Sequence, residues 1–356
     1  MPVMRIKSSV HDYQVDEYAR LDEALGKILT GRKIFAVVDK KLFGLPHAAA
    51  LAALDPQRTL QVEASEAEKS FENLAWIFSA LLERGFRKDC ELLAVGGGVV
   101  QDITCFVASV LLRGAKWHFI PTTLLAQCDS CIGSKSSINI GKFKNQIGNF
   151  YPPNGVALVT GILETLPPDE IRSGLGEAIK LHLLSSEPDF RRLQSQLQAL
   201  PSDPKKISDI IWNSLRIKQR YIEVDEFDKG VRNILNYGHT FGHAYESVTN
   251  YAIPHGIAVT LGVATATFFS EQLGLAPAGH FAEVGIFLKP WYEPYQQKIK
   301  NLGVQQIAGA MKLDKKNTSG TMNCILTRGF GKMEKMAVDP ETQLLPLLEK
   351  FRGSLS

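Results

Sequence analysis

Between residues 34 and 121 the chain alternates short apolar, strand-like runs with helical periodicity: IFAVVD at 34–39, FENLAWIFSALLERG at 71–85, ELLAV at 91–95 and WHFIP at 117–121. Such alternation predicts βαβ units and a parallel sheet, because parallel strands need a crossover that a helix supplies. After Pro152 and Pro153 the texture changes to longer periodic stretches with capping signals, from Pro168 to Leu184 and from Asp209 to Glu223, so the second half reads as helical. The apolar stretch from Ile257 to Phe269 is interspersed with Ala, Gly and Thr, which suits a tightly packed buried helix. At 356 residues the chain is long enough for about two domains of roughly 150 residues. We expect an α/β domain over 1–165 and an all-α domain over 166–356, with a cleft between domains as the default place for a site. No internal repeat or low-complexity tract stands out.

Composition removes several function classes. Forty Lys plus Arg against 37 Asp plus Glu leave a formal charge of +3, too little to argue for a nucleic-acid surface, so any anion binding must be local. The five cysteines, Cys90, Cys105, Cys128, Cys131 and Cys324, do not suit an extracellular disulfide framework. No apolar run approaches a membrane span and the first residues lack a signal-peptide core, which reads as a cytoplasmic protein.

Four local patterns carry chemistry. Gly96, Gly97 and Gly98 follow the apolar run ELLAV and open a helical pattern, a geometry that brings backbone N–H groups and the positive end of a helix to a phosphate. A full dinucleotide fingerprint would need glycine where Gln101 stands, so a ligand-free tight turn remains the competing reading. His239 and His243 are four residues apart, one face of a helix, as a metal pair requires, with His255 following in PHG. A third ligand must come from a distance, and Glu177, flanked by small residues in SGLGEAIK, is the candidate; its bland alternative is a solvent-facing Glu paired with Lys180. The C-x-x-C of Cys128 and Cys131 has no second half-site and reads as two small residues in a packed turn. Arg113 and Arg232 lie in LLRG and VRNILN beside residues expected to be buried, where a guanidinium needs an anion.

Together GGGVVQD, RGAKWHFIPTTLLAQCDS, IGSKSSINIGKFKNQIGNFYPP, LGEAIK, EVDEFDKGVRNILNYGHTFGHAYE, PHG and LDKK resemble the successive blocks of the 3-dehydroquinate synthase and wider sugar phosphate cyclase family, from about Glu66 to Lys332. The resemblance implies a Rossmann-like nucleotide-binding α/β domain followed by a helical metal-binding domain. It implies NAD and a catalytic zinc, or cobalt or another divalent metal, held by Glu177, His239 and His255, with His243 left as an acid or base on the substrate. NAD would lie against Gly97, Gly98 and Asp102, near Thr122, Thr123 and Asp129, with Glu66 and Lys69 at a ribose and Thr165 on the nicotinamide side. Substrate anions would meet Lys135, Lys144, Asn145, Lys218, Arg232, Asn236 and Lys315, or Lys316 beside it; Lys144 also counts with the cofactor set. Arg113 would approach a phosphate from the adjoining subunit of a homodimer. Lys180 would join His243 in stabilising charge or shuttling protons. The implied reaction converts a phosphorylated seven-carbon sugar acid to a carbocycle, a step of the shikimate route to aromatic amino acids, and uses NAD without net redox change.

Several positions depart from the family pattern: Gln101 and Cys105 stand where glycines are usual, Gly133, Ser134, Lys135 replace GGK, and Lys180, Leu181, His182 replace KYG. The retained cations favour a carboxylated substrate over sedoheptulose 7-phosphate. A metal-dependent alcohol dehydrogenase shares the domain plan but gives these cations no anionic partner. An inactive paralogue would have a broken ligand set.

Overall fold

The computed structural model describes residues 2–141, 143–200, 205–312 and 322–355. Lys315 and Lys316 lie outside the described residues. The chain forms two compact units, Met1–Pro167 together with Lys218–Phe227, and Pro168–Ile217 together with Asp228–Ser356. A second domain running without interruption from 166 does not foresee the return of Lys218–Phe227 to the first unit.

The first unit is built on a seven-stranded sheet whose neighbours run β1-β2-β9-β6-β5-β3-β4. The strands are β1 (Val3–Ile6), β2 (Tyr13–Tyr18), β3 (Lys33–Asp39), β4 (Thr59–Val62), β5 (Cys90–Gly96), β6 (Trp117–Pro121) and β9 (Gly155–Val159); β7 (Ile138–Ile140) and β8 (Phe143–Ile147) pair separately. Within the seven-stranded sheet every pairing is parallel except β1 with β2, and the separate β7–β8 pair is antiparallel. The central strands β3, β5 and β6 are buried almost end to end, and that is why their sequences are unbroken apolar runs instead of alternating ones. The helices of this unit are α1 (Leu21–Leu29), the single turn α2 (Ala48–Leu51), α3 (Phe71–Glu83) and α4 (Gly98–Val110). Ser70 caps α3 by accepting the Asn73 N–H through its side chain.

Strand order reverses between β3 and β5, since the chain steps from β3 out to β4 and then returns to the other side of β3. The carboxyl ends of β3 and β5 therefore flank the crevice where doubly wound sheets receive ligands. Asp39 ends one strand and the Gly96–Gly98 turn ends the other.

The second unit is mostly helical, with α5 (Pro168–Ser185), α6 (Glu187–Ala199), most of α7 (Lys206–Ile222), α8 (His239–Val248), α9 (His255–Gln272), α10 (His280–Tyr292), α11 (Gln296–Lys300), α12 (Val304–Lys312) and α13 (Leu345–Ser354). It also carries an antiparallel hairpin of β10 (Met322–Thr327) and β11 (Met333–Val338), which an all-α reading omits. Helix α9 is buried on every side from Gly256 to Ser270. Its hydroxyls remain satisfied there: Thr260, Thr265, Thr267 and Ser270 each donate to the carbonyl four residues back. Thr265 and Thr267 also pair with the buried hydroxyls of Tyr245 and Tyr237 at 3.0 and 2.7 Å. No helix among the described residues is long and apolar enough to cross a membrane.

Candidate active site

In the first unit the turn after β5 is kept free of side chains by crowding at Gly96 and Gly97, while Gly98 has room for a Cβ. A Cβ on Gly96 would lie 2.5 Å from the Val100 side chain, and one on Gly97 would lie 2.8 Å from Thr123 Cγ2. Thr122 N donates to Gly96 O at 2.9 Å, so the Thr122–Thr123 pair packs directly on the turn. Gln101, where the fingerprint wants glycine, ties α4 to the turn after β6: its Nε2 donates to Ser130 O and Ser130 Oγ donates to its Oε1, both at 2.6 Å. Cys105 fills the other absent glycine, with Sγ 3.2 Å from Tyr151 O. Ser134, replacing a glycine, adopts φ 65, a left-handed conformation that disfavours a side chain, and Ser134 Oγ donates to Glu226 Oε1 at 3.2 Å.

Beside this turn Lys69 is buried among acceptors, its Nζ 3.2 Å from each of Asp102 Oδ2, Glu66 Oε1 and Asn145 Oδ1. Burial works against the Lys69 charge, but Asp102 and Glu66 override it and raise its pKa. Burial pushes the Asp102 carboxyl up to about 6 despite Lys69, whereas Glu66 is held below its usual value by Lys69, Asn139 and Lys144 against its own burial. Lys144 Nζ stands 3.6 Å from Glu66 Oε2. Lys218 Nζ reaches Asp129 twice, donating to the carbonyl oxygen at 2.7 Å and pairing with Oδ1 at 2.7 Å. Thr165 is half-buried and donates to Ile162 O. Lys135 is exposed, its Nζ 5.7 Å from the Phe150 ring centre.

Arg113 departs from expectation. Its side chain is exposed, because the helix ends at Val110 and both Leu112 and Arg113 adopt left-handed conformations that turn the chain out after buried Leu111. It needs no buried anion within its own unit.

The second unit carries the titratable cluster. Three helices deliver it: α5 brings Glu177 and Lys180, α8 begins at His239 after Gly238 in the left-handed region, and α9 begins at His255. Glu177 Oε1 stands 3.6 Å from His239 Nε2 and 3.3 Å from His255 Nε2. His243 joins them, since one ring nitrogen from each of the three histidines can be chosen with all within 4.8 Å. The solvent-facing alternative for Glu177 is therefore wrong: it is 1% exposed, and Lys180, itself buried, pairs with Oε2 at 2.6 Å. Beyond that ion pair neither Glu177 oxygen receives a hydrogen bond. Burial works against the Glu177 charge, but Lys180 and the imidazoles hold its pKa well below the usual range. Burial and Lys180 push His239 well down; His255 is pushed up to about 10 because Glu246 and Glu177 outweigh its burial.

A buried carboxylate with one oxygen held by Lys180 and the other facing two Nε2 atoms is a fitting donor set for a divalent metal with open positions. The short turn before α8 supplies Arg232, which is buried, and half-buried Asn236, whose Nδ2 donates to Asn233 O at 3.0 Å. Two residues escaped the sequence reading. Asp39 sits at the carboxyl end of β3, where doubly wound folds place an acid for a ribose, and the VVD ending was its signal. Glu246 accepts at 3.1 Å from His255 Nδ1, and its place on one face of α8 with His239 and His243 was the signal.

All five cysteines are free and buried, and burial pushes the Cys131 thiol up to about 12. The folded protein should therefore resist iodoacetamide at pH 8 and take up about five equivalents only in denaturant, because the thiolate is the reactive form. Rapid modification of Cys128 and Cys131 in native protein, read by mass spectrometry, would restore a redox role for the pair.

Family models described as 3-dehydroquinate synthase N-terminal and C-terminal match residues 59–173 and 174–317. The 3-dehydroquinate synthase of Xanthomonas campestris pv. campestris is 35% identical over 339 residues, 91% of each chain. That of Acidithiobacillus ferrooxidans is 38% identical over 304 residues, 85% of this chain and 83% of its own. Among solved structures, 2-deoxy-scyllo-inosose synthase complexed with carbaglucose-6-phosphate, NAD+ and Co2+ superposes with a TM-score of 0.85 at 21% identity, covering 98% of this chain and 99% of that one. The 2-epi-5-epi-valiolone synthase of Streptomyces hygroscopicus subsp. jinggangensis, with NAD+ and Zn2+ bound, gives 0.79 at 23% identity over 96% of both chains. Glycerol dehydrogenase of Schizosaccharomyces pombe gives only 0.64 at 15%, over 96% of this chain and 89% of that one.

Proposed function

Because the chain belongs to the 3-dehydroquinate synthase family, we propose that it converts 3-deoxy-D-arabino-heptulosonate 7-phosphate to 3-dehydroquinate and phosphate, as a phosphate-eliminating lyase that uses NAD catalytically. The observation that carries this reading is the buried Glu177 carboxylate, paired through Oε2 with Lys180 and facing Nε2 of His239 and His255 through Oε1. Those three residues would hold a divalent metal, zinc or cobalt. Gly97, Gly98, Asp102, Thr122, Thr123, Asp129, Glu66, Lys69, Lys144 and Thr165 would hold NAD. When bound, the two groups supply Lewis acidity at adjacent hydroxyls and a hydride acceptor and donor, so that oxidation, phosphate loss, re-reduction and aldol closure can follow one another.

The chain's own residues then do the binding and the proton work. His243 exchanges a proton at a ring nitrogen. Lys180 keeps Glu177 ionised and offers an ammonium to developing negative charge. Arg232, Lys218 and Lys315 receive the substrate carboxylate, with Asn236 and Asn145 orienting hydroxyls and Lys135 and Arg113 meeting the phosphate. Arg113 would reach it from a second copy in a homodimer, which suits its exposed side chain. Converging charges on one sugar lower the entropy cost of each step.

A sedoheptulose 7-phosphate cyclase is the second reading, since 2-deoxy-scyllo-inosose and 2-epi-5-epi-valiolone synthases share this fold, although at 21–23% identity that likeness speaks to the fold alone. The 35–38% identity to 3-dehydroquinate synthases against 21–23% to those neighbours decides against it. The deciding experiment offers both sugars with zinc and sub-stoichiometric NAD and follows phosphate. Release with the heptulosonate alone, without NADH accumulating, is expected. Release with sedoheptulose 7-phosphate alone would transfer the chain to the second reading, and NADH accumulating with a simple polyol would make it a dehydrogenase.

Arg232→Ala should cost the carboxylated substrate on the order of 10²-fold in kcat/KM, because a hydrogen bond to a charged group contributes about 1.5–3 kcal/mol. Inorganic phosphate, as a competitive inhibitor, should bind unchanged. An equal loss for both would remove Arg232 from the carboxylate.

A further inference from the structure

A neutral imidazole has one N–H and one lone pair, so it can serve a metal through one nitrogen only if the other keeps the proton. His255 is arranged for that division. Its Nε2 faces Glu177 Oε1 at 3.3 Å, while its Nδ1 lies 3.1 Å from Glu246 Oε2. The Glu246 side chain is only 13% exposed and stands on α8, the same helix that begins with His239. His239 is handled in the same sense by a weaker partner, its Nδ1 lying 3.4 Å from the backbone carbonyl of Tyr237.

We propose that Glu246 is a positioning residue for the metal site: it accepts the Nδ1 proton of His255, fixes the ring's rotation and presents the Nε2 lone pair toward the same point as His239 and Glu177. This rests on the reading of Glu177, His239 and His255 as metal ligands. The proposal assigns Glu246 no contact with metal, NAD or sugar. It gives the two histidines different roles, because a carboxylate partner makes an imidazole a stronger donor than a carbonyl partner does. The carboxylate also adds a second nearby negative charge to that of Glu177, which favours a divalent over a monovalent ion. His255 has the more exposed side chain of the pair, 37% against 13% for His239, and so has more need of an outside clamp.

The test compares Glu246→Gln, Glu246→Leu and His255→Ala with the unaltered protein, using zinc affinity from competition with a chromophoric chelator and the melting temperature of the metal-free protein. Glutamine keeps an acceptor but loses the charge, whereas leucine loses both at similar size. Zinc affinity should fall in the order wild type, Gln, Leu, with the leucine variant roughly 10- to 100-fold weaker, while the metal-free melting temperatures of the Gln and wild-type proteins stay together. The Co2+-loaded Gln variant should show an altered visible ligand-field spectrum, a readout a packing role would leave alone. Unchanged zinc affinity in both Glu246 variants, with affinity lost in His255→Ala, overturns the positioning role and leaves the metal reading standing. Unchanged affinity in His255→Ala overturns the metal reading itself. A loss of affinity in Glu246→Gln that follows a matching fall in metal-free melting temperature also counts against the proposal, because that is what a structural carboxylate would give.

Discussion

Replacing His255 with alanine should strip the tightly bound divalent ion and cut phosphate release from the heptulosonate by on the order of 10³-fold or more. The magnitude follows from several kcal/mol of charge stabilisation at about 1.4 kcal/mol per tenfold in rate. The melting temperature should fall as well, because His255 stands 3.3 Å from Glu177 and 3.1 Å from Glu246, and its removal leaves both largely buried carboxylates without that partner. Glu177→Gln should be as damaging to activity and also lower the melting temperature. Its loss leaves Lys180, 2% exposed, without the carboxylate at 2.6 Å, and breaking a buried ion pair costs about 3–5 kcal/mol. Metal content by elemental analysis and initial phosphate rates test both variants. Full activity at one equivalent of metal in either would remove that residue from the ligand set.

Gly256→Val should be strongly destabilising although the residue has no chemical role. A Cβ at Gly256 collides with the carbonyl oxygen of Ser173 and would sit 2.9 Å from Ser173 Cα, while one at the facing Gly176 collides with Gly256 O and would sit 2.5 Å from Thr260 Oγ1. Helices α5 and α9 thus meet backbone to backbone, fastened by Gly256 N donating to Ser173 Oγ at 2.9 Å. The contact lies one residue from both Glu177 and His255, so spreading it separates the two directly. Overpacking costs about 1–3 kcal/mol or more, at roughly 2–4 °C per kcal/mol for a domain of this order. A displacement of about 1 Å at a catalytic group can cost 10²-fold. Thermal unfolding and zinc titration of Gly256→Val and the milder Gly256→Ala should show both losses together. A valine variant with wild-type melting temperature and zinc affinity would sink the account.

The central strands were legible because burial on both faces leaves an unbroken apolar signature in β3, β5 and β6. The glycine turn was legible for a different reason, since only glycine tolerates the approach of Val100 at Gly96 and of Thr123 at Gly97. Hairpin β10–β11 went unread although RGFGK between two apolar runs is a turn signal; a helical expectation for the whole second half overrode it. Arg113 failed because burial was inferred from neighbours along the chain, and the left-handed step at Leu112 breaks that inference. Spacing on one helix suggested His239 with His243, and their ring nitrogens do lie together with that of His255, whereas the carboxylate facing His239 and His255 comes from a different helix that no spacing along α8 could reveal. Glu246 was missed for a related reason: it shares the face of α8 that carries His239 and His243, but its partner begins the next helix, so its task could not be read from that face alone.

The segment Lys218–Phe227 belongs to the first unit, and its contacts are specific. Gln219 Nε2 donates to Arg5 O, Glu223 accepts the Lys7 N–H, and Glu226 accepts from Ser8 Oγ, Ser9 N, Ser9 Oγ and Ser134 Oγ. On the ribosome these partners arrive late. The first unit's sheet is fully synthesised by Pro167, but the strap ends at Phe227, 227 − 167 = 60 residues further on. At about 5–20 residues per second that is a wait of roughly 3–12 s. During that interval the serines of the β1–β2 turn and the Asp129 carboxylate stand without the strap, while α5 and α6 are already emerging. A nascent chain stalled just after residue 167 should therefore be more open to protease around Ser8 and Ser134 than one stalled beyond 227. For the same reason a gene cut at the apparent domain boundary would encode a sheet lacking its last fastening.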